Sequence, residues 1–143
     1  MPGPSRETIE QELLEADHAF LQATTQDGLE GWLSFFTDDA LRVELQGPTV
    51  VGLKAIRVAD AALFEPGGPR LRWEPAEAVA FTGGNGGMTR GRYTLTLDAP
   101  GDDGGPIVVS RGTYLTLWRR EDGRFKVYLD TGAPDPAPEA LLD

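Results

Sequence analysis

The second half of the chain is a succession of four long β-like runs, and no other feature constrains the fold as strongly. The runs are Arg70–Thr82, Met88–Asp98, Ile107–Arg119 and Arg124–Thr131. The connections between them are short and rich in turn-forming residues, so consecutive strands should pair as an antiparallel meander. Alternation of threonine and leucine leaves one face of this sheet clearly apolar, and the other face is mixed. We therefore expect a curved, mainly antiparallel sheet that must be covered on both faces.

The first half of the chain carries helical patterns. Apolar residues recur at three- and four-residue steps between Ser5 and Gln26, which predicts an amphipathic helix with Ser5 as its N-cap. A second helix is expected after Gly28, with Phe36 on its apolar face and the pair Asp38-Asp39 closing it. A short strand at Leu41–Leu45 follows, and a third helix should begin after Gly52 and carry Phe64 on its buried side.

These elements predict an α+β fold in which three N-terminal helices pack on the sheet and enclose a small-molecule pocket. A chain of 143 residues fits a single domain. We place that domain at residues 1–132. The remaining residues, 133–143, have the proline-rich composition of an extended, mobile tail.

The composition excludes several classes of function. There are no cysteines and the only histidine is His18, which excludes disulfides, thiolate metal sites and histidine-rich zinc sites. A magnesium or calcium site made of carboxylates alone stays open, although no EF-hand-like spacing is present. The formal net charge of −10 would repel nucleic-acid phosphates and anionic lipid, so neither partner is expected. We predict no metal and no organic cofactor.

The sequence also predicts the cellular location of the protein. The N-terminus lacks the apolar stretch of a signal peptide, and no run approaches the roughly 18–20 apolar residues of a membrane span. We therefore predict a cytoplasmic protein. Its basic residues are nearly all arginine and it is rich in Ala, Gly and Pro, a composition typical of GC-rich bacterial genomes.

Two motifs carry a resemblance to a known family. The first is the Phe-x-Asp-Asp-Ala element at Phe36–Ala40, which follows the second predicted helix. The second combines Gly112-x-Tyr114, then Trp118, then Gly123–Val127 and Asp130 on the last strand. In this order and spacing the chain resembles the SnoaL-like and ketosteroid-isomerase-like proteins of the nuclear-transport-factor-2-like superfamily, over roughly residues 7 to 132.

The resemblance implies a cone-shaped α+β fold, a homodimer formed through the sheets, and a pocket between the helices and the concave face of the sheet. The superfamily includes isomerases, dehydratases, polyketide cyclases and binding domains without catalytic activity. Fold alone therefore leaves function open, and the site must be judged residue by residue.

Steroid isomerase chemistry needs a carboxylate to move the proton and two donors to hold the enolate oxygen; in ketosteroid isomerase the donors are a tyrosine and a protonated aspartic acid. The resemblance places Glu44 where the family has its general base. It places Phe20, which has no hydroxyl, at the family's donor tyrosine, and Thr113 or Tyr114 at its donor aspartic acid. Since losing one oxyanion donor costs about 100- to 1000-fold in rate, steroid isomerisation is not expected.

Three carboxylates are the candidate catalytic or polar anchoring groups, and each has an alternative. Glu44 faces either the pocket or solvent, because Val43 and Leu45 must point the other way. Asp17 lies on an apolar helix stripe, where a carboxylate needs a partner or a cavity; Arg92, Arg111 or Tyr93 could supply an ion pair or hydrogen bond. Asp130 either anchors a ligand at the end of the last strand or caps a turn. The candidate catalytic residues are Glu44, Asp17 and Asp130.

Five aromatic residues complete the expected site. Tyr93 and Tyr114 are candidate hydrogen-bond donors to a ligand, while Phe20, Trp32 and Trp118 would line the pocket, or serve the core or dimer interface. The leading hypothesis is a protein that binds a small apolar carbonyl compound and uses carboxylate acid/base chemistry as an isomerase, cyclase or dehydratase. The alternative is a non-catalytic ligand-binding or dimerisation module whose pocket is filled by side chains.

Overall fold

A computed structural model of the protein describes residues 3–98 and 105–136. In these described residues, helices occupy the first half and six strands form one sheet, so the predicted α+β class is confirmed. The helical elements are α1 (Arg6–Leu33), α2 (Leu53–Asp60) and a 3-10 turn at Ala61–Phe64. The strands are β1 (Phe36–Val43), β2 (Val50–Val51), β3 (Arg70–Ala80), β4 (Gly86–Leu97), β5 (Ile107–Glu121) and β6 (Arg124–Pro134).

The first helix begins as the sequence predicts. The side chain of Ser5 accepts a hydrogen bond from the backbone N–H of Thr8 at 3.1 Å, which satisfies one of the free donors of the first turn. Near its end the helix is interrupted at Gly28, whose φ of 60° and ψ of −131° suit only glycine. Gly31 then packs so closely on the preceding helix that an added Cβ would lie 2.0 Å from the carbonyl oxygen of Ala23.

The prediction of three N-terminal helices is wrong, because the described part of the chain has two α-helices. The segments predicted as the first and second helices form the single element α1, and the predicted boundary survives only as the irregular backbone at Gly28. The predicted second helix also ends too late. Phe36 begins β1, and Asp38 and Asp39 lie within that strand. Phe36 pairs with Val127 of β6, so tertiary pairing overrides the local helical pattern.

The sheet is mixed, with the strand order β2-β1-β6-β5-β4-β3. Strands β3 to β6 form the predicted antiparallel meander, β2 pairs antiparallel with β1, and β1 runs parallel to β6. Four of the five pairings contain a register shift. Such bulges bend strands and increase their twist, which curves the sheet around the helices.

The core lies between α1 and the concave face of the sheet. Phe20 is at its centre, with ring centroids 4.9 Å from Trp32 and 5.0 Å from Trp73. Alternate residues of β5 point into this core, among them Tyr114 and Trp118. The other buried apolar residues are Ile9, Leu13, Leu33, Phe36, Ala40, Ile56, Phe125 and Val127.

The end of the domain lies slightly beyond its predicted position. Strand β6 continues through Pro134, two residues past the predicted boundary at 132, and Asp135 forms an ion pair with Arg92. The rest of the predicted tail, from residue 137, lies outside the described residues. Within residues 3–98 and 105–136, no helix is both long and apolar enough to cross a membrane. The cytoplasmic location stays a prediction.

Candidate functional site in the concave face of the sheet

A cavity of about 490 Å³ opens between the concave face of the sheet, the middle of α1 and the segment after β1. Its wall is mostly aromatic and aliphatic, and a smaller number of polar residues also line it. The apolar and aromatic lining comes from Phe20, Trp32, Val43, Leu45, Leu63, Leu71, Trp73, Tyr93, Leu95, Tyr114 and Pro134. The polar lining comes from Arg42, Glu44, Gln46, Ser110, Thr116, Asp130 and Thr131.

Strand register brings the polar residues of the floor into one row. Arg42 of β1 is paired with Asp130 of β6, and Asp130 is paired with Thr116 of β5. Thr116 is in turn opposite Thr89 of β4. Paired residues in a sheet share a face, so these four side chains lie side by side across four strands.

Asp130 is the carboxylate of this row that lines the cavity. Its Oδ1 accepts a hydrogen bond of 2.9 Å from the hydroxyl of Thr116, and its Oδ2 lies 3.9 Å from Nη1 of Arg42. Burial raises the pKa of Asp130 from 3.8 to about 7, because the charged form loses its hydration; the charge of Arg42 opposes this shift only in part. The group can therefore take up or release a proton near neutral pH.

Arg42 is held in place by a second aspartate. Asp60, at the end of α2, accepts two hydrogen bonds from Arg42, of 2.9 Å from Nε and 3.0 Å from Nη2. The indole N–H of Trp32 donates to the same carboxylate at 2.9 Å. Burial disfavours the guanidinium charge, but the bonds to Asp60 and the charge of Asp130 keep the pKa of Arg42 above its ordinary value. The cation is thus fixed beside Asp130.

Asp17 lies directly behind the aromatic wall and is fully buried. The indole N–H of Trp73 donates to its Oδ1 at 2.7 Å, and the hydroxyl of Tyr114 donates to its Oδ2 at 2.8 Å. Thr89 supplies a further hydrogen bond. Burial raises the pKa of Asp17, although these three donors lower it. The predicted partners are wrong, since Arg92 pairs with Asp135 and Tyr93 bonds to Ser110.

Glu44 does not occupy the centre of the site. It follows β1 rather than lying within a strand, and its side chain is 45% exposed at the edge of the cavity. Its only charged contact among the described residues is Nη2 of Arg42, at 3.4 Å. Glu44 is therefore a residue of the cavity rim, and the carboxylate of the floor is Asp130.

The aromatic candidates separate into two groups. Phe20, Trp32, Tyr93 and Tyr114 all line the cavity. Trp118 is absent from this lining within the described part of the chain; its indole N–H donates to Thr89 at 2.9 Å and its ring packs edge-on against Phe20. Trp118 thus supports the wall from behind.

Sequence reasoning missed Arg42 and Asp60. Arg42 is two residues before Glu44 on an extended segment, so both point to one side, and that pattern could have drawn attention to it. Asp60 is four residues after Ile56, on the apolar side of α2, where a carboxylate requires a partner. The same signal singled out Asp17 on α1.

Among residues 3–98 and 105–136, no three His, Cys, Asp or Glu side chains cluster in a way that could hold a metal ion. Asp60 instead accepts from Arg42 and Trp32, and Asp130 accepts from Thr116. The absence of a cofactor requirement stays a prediction.

Comparison with known proteins gives the same fold. A ketosteroid isomerase-like protein from Erwinia carotovora superposes with a TM-score of 0.67 at 20% identity, covering 87% of this chain and 95% of that one. A nuclear-transport-factor-2-like protein with a cystatin-like fold from Novosphingobium aromaticivorans gives 0.66 at 16% identity, covering 93% and 88%. A Catenulispora acidiphila protein in complex with S-DNPA gives 0.69 at 13% identity, covering 93% and 96%.

At these identities the structural matches establish the fold alone, and a search of curated proteins finds no match. The match of the sequence to a family model is more informative about the family than these structural matches. The family model of the SnoaL-like domain matches residues 18–128, which include most of α1, Asp60, both tyrosines of the cavity and the meander as far as the last strand. The chain therefore belongs to the SnoaL-like family.

Proposed function

We propose that this protein binds a small, largely apolar carbonyl compound in the cavity and that Asp130 moves a proton on it. The observation that carries the proposal is a carboxyl group with a pKa of about 7, set in an apolar cavity beside a fixed arginine. A general base is most effective when its pKa lies near the working pH, and Asp130 meets this condition.

The chemistry follows from the positions of the two charged groups. Asp130 as a carboxylate would remove a proton from the carbon next to the carbonyl, and the carbonyl oxygen would take up the negative charge of the enolate. Arg42, held beside Asp130 by its bonds to Asp60, supplies a positive charge close to that oxygen. Asp130 then returns the proton. Isomerases, dehydratases and cyclases of carbonyl compounds all share this first step.

The shape and lining of the cavity support a bound ligand. Its volume of about 490 Å³ falls within the range of about 300–1,000 Å³ common for small-molecule sites. The wall is mostly apolar, with a few polar groups gathered on the floor. One structural neighbour, from Catenulispora acidiphila, is in complex with S-DNPA. A cavity of this size also argues against the alternative of a non-catalytic module with a filled pocket.

Deuterium exchange tests the proposal without knowledge of the natural substrate. We would incubate 1-tetralone with the protein in D2O near neutral pH and follow loss of its α-proton signal by NMR. The expected result is exchange above the protein-free rate, reduced by a factor of about 100 or more in Asp130→Asn.

Two matched variants serve as controls. Asp39→Asn removes an exposed aspartate that pairs with Arg119, and exchange should not change. Glu44→Gln removes the rim carboxylate, and exchange should stay within about threefold of the wild-type rate. Exchange that survives Asp130→Asn but is lost in Glu44→Gln contradicts the assignment of the base, and no exchange at all contradicts the proposed chemistry.

We also propose that the protein forms a homodimer through the outer face of the sheet. Half-buried apolar side chains form a row on the outer face of the sheet, where Met88, Leu117 and Leu129 are neighbours on three adjacent strands. A second copy covering this row would bury it, and sedimentation velocity of the purified protein measures whether a dimer forms. A monomer at micromolar concentration contradicts this assembly.

A further inference from the structure

Three hydroxyl groups of the cavity lining already donate their hydrogens to other groups of the protein. The Tyr114 hydroxyl donates to Asp17, the Thr116 hydroxyl donates to Asp130, and the Thr131 hydroxyl donates to the backbone oxygen of Val43. All three residues line the cavity and lie on the neighbouring strands β5 and β6. A hydroxyl that has donated its one hydrogen can still accept through its lone pairs.

The indole N–H groups in the wall likewise already donate to protein carboxylates. Trp32 donates its N–H to Asp60 and Trp73 donates its N–H to Asp17. Neither N–H is left for a ligand, since indole has one donor and no acceptor. The wall near Tyr114 therefore offers a ligand aromatic faces and oxygen lone pairs.

The direction of the Tyr114 hydrogen bond is fixed by its surroundings. Asp17 as a carboxylate can only accept, and it lies 2.8 Å from the phenolic oxygen. Burial and the nearby charge of Asp17 raise the pKa of Tyr114, so the phenol keeps its proton. The phenolic oxygen therefore still has a lone pair with which to accept, and Tyr114 is one of the residues that line the cavity. Donors to a ligand are concentrated instead at Arg42, on the far side of Asp130, and at the Tyr93–Ser110 hydroxyl pair.

We propose that the cavity selects ligands that carry a hydroxyl group, which donates its hydrogen to the phenolic oxygen of Tyr114. An ether or an unsubstituted ring has no hydrogen to donate at that position and leaves the acceptor without a partner, which costs affinity. The inference rests on the proposed function for the cavity and for the carbonyl group that faces Arg42. It names the ligand as a hydroxylated carbonyl compound, with its carbonyl towards Arg42.

A matched set of three probes tests this selectivity: 1-tetralone, 7-hydroxy-1-tetralone and 7-methoxy-1-tetralone. Dissociation constants would be measured by NMR titration at pH 8, where Asp130 is mainly ionised. The hydroxyl compound should bind about tenfold more tightly than the methyl ether, the worth of one buried hydrogen bond. In Tyr114→Phe this ratio should fall to within about twofold of one. Tyr128→Phe, which removes a tyrosine hydroxyl outside the cavity lining, should leave the ratio unchanged.

Tyr114→Phe also removes a donor to buried Asp17, so its folding must be checked by the dispersion of its NMR spectrum. If it does not fold, the acceptor is probed from the ligand side with 7-amino-1-tetralone, whose N–H donors should restore tight binding relative to the ether. Equal affinities for the hydroxyl and methoxy compounds, or tighter binding of the ether, overturn the inference. The deuterium-exchange result is independent, because 1-tetralone has no hydroxyl and reports on Asp130 alone.

Discussion

Asp60 is buried at the end of α2, and its replacement by alanine is the sharpest test of how the site is held together. The substitution removes the acceptor of both Arg42 hydrogen bonds and of the Trp32 indole N–H. It leaves a cation that is only 14% exposed and an indole donor in the core. A buried charge that loses its partner is costly, because water does not replace the lost interaction.

The expected loss can be estimated from these contacts. Removing one partner of a buried ion pair costs about 3–5 kcal/mol, and an unsatisfied buried N–H adds roughly 1–3 kcal/mol. Part is recovered because Arg42 can move towards Asp130, which lies only 3.9 Å away. We therefore expect Asp60→Ala to lower the free energy of unfolding by about 4 kcal/mol, and the melting temperature by roughly 10 °C for a chain of this length.

Urea unfolding at pH 7.5 measures the loss. Asp39→Ala is the matched control, because it also removes an arginine-paired aspartate but an exposed one, and it should cost less than about 1 kcal/mol. The double variant Arg42→Met/Asp60→Leu replaces the pair by apolar side chains and should recover most of the stability. A loss below about 1 kcal/mol in Asp60→Ala, or a double variant as unstable as the sum of its singles, refutes the reasoning.

Asp60→Ala has a second, electrostatic consequence. The negative charge of Asp60 helps to raise the pKa of Asp130, after the larger effect of burial. Without Asp60, Arg42 is free to pair with Asp130 and favour its ionised form. A carbon-13 NMR titration should therefore find the pKa of Asp130 lower in Asp60→Ala than in the wild type, and an unchanged value contradicts this coupling.

Two further predictions concern stability. Between about pH 4 and pH 7 folded Asp130 retains a proton that the unfolded chain releases, so raising the pH through this window removes up to roughly 4 kcal/mol of stability. Urea midpoints measured at pH 5 and pH 8 should show that Asp130→Asn becomes more stable relative to the wild type as the pH rises. A stability difference that is the same at both pH values contradicts the raised pKa of Asp130. Gly28→Ala should cost about 1–3 kcal/mol, because φ 60° with ψ −131° strains any residue with a Cβ. Since nothing lies within 4 Å of that Cβ, a neutral result would show that the backbone there adapts.

The meander was predictable because its signals are local. Alternating residues and glycine-rich turns specify strands and hairpins over a few positions, and the observed bounds differ from the predicted ones by at most three residues. The error at Phe36 has the opposite origin. Its apolar spacing with Trp32 and Leu33 fits a helix, but the residue is taken into β1 by pairing with Val127, ninety-one positions later in the sequence. No local pattern can report such a contact.

The site was partly predictable for a related reason. A carboxylate on an apolar helix face must have a partner, which marked Asp17 correctly as a buried group. The identity of its partners could not be read, because Trp73 and Tyr114 come from β3 and β5, fifty-six and ninety-seven positions away. Asp130 was a candidate through the family resemblance, but its high pKa depends on burial and on Asp60, which only the folded chain brings together.

Asp17, Asp60 and Asp130 differ in how far their oxygens are committed to hydrogen bonds, and this difference supports the role proposed for Asp130. Asp17 is occupied on both oxygens by Trp73 and Tyr114, and Asp60 on both by Arg42. A proton transfer at either would break bonds that hold the wall or the cation in place. Asp130 accepts one hydrogen bond at Oδ1, from Thr116, while its Oδ2 lies 3.9 Å from the arginine, beyond hydrogen-bonding distance. Of the three carboxylates, Asp130 therefore fits the proposed proton transfer best, because its Oδ2 is committed to no hydrogen bond that holds the surrounding structure.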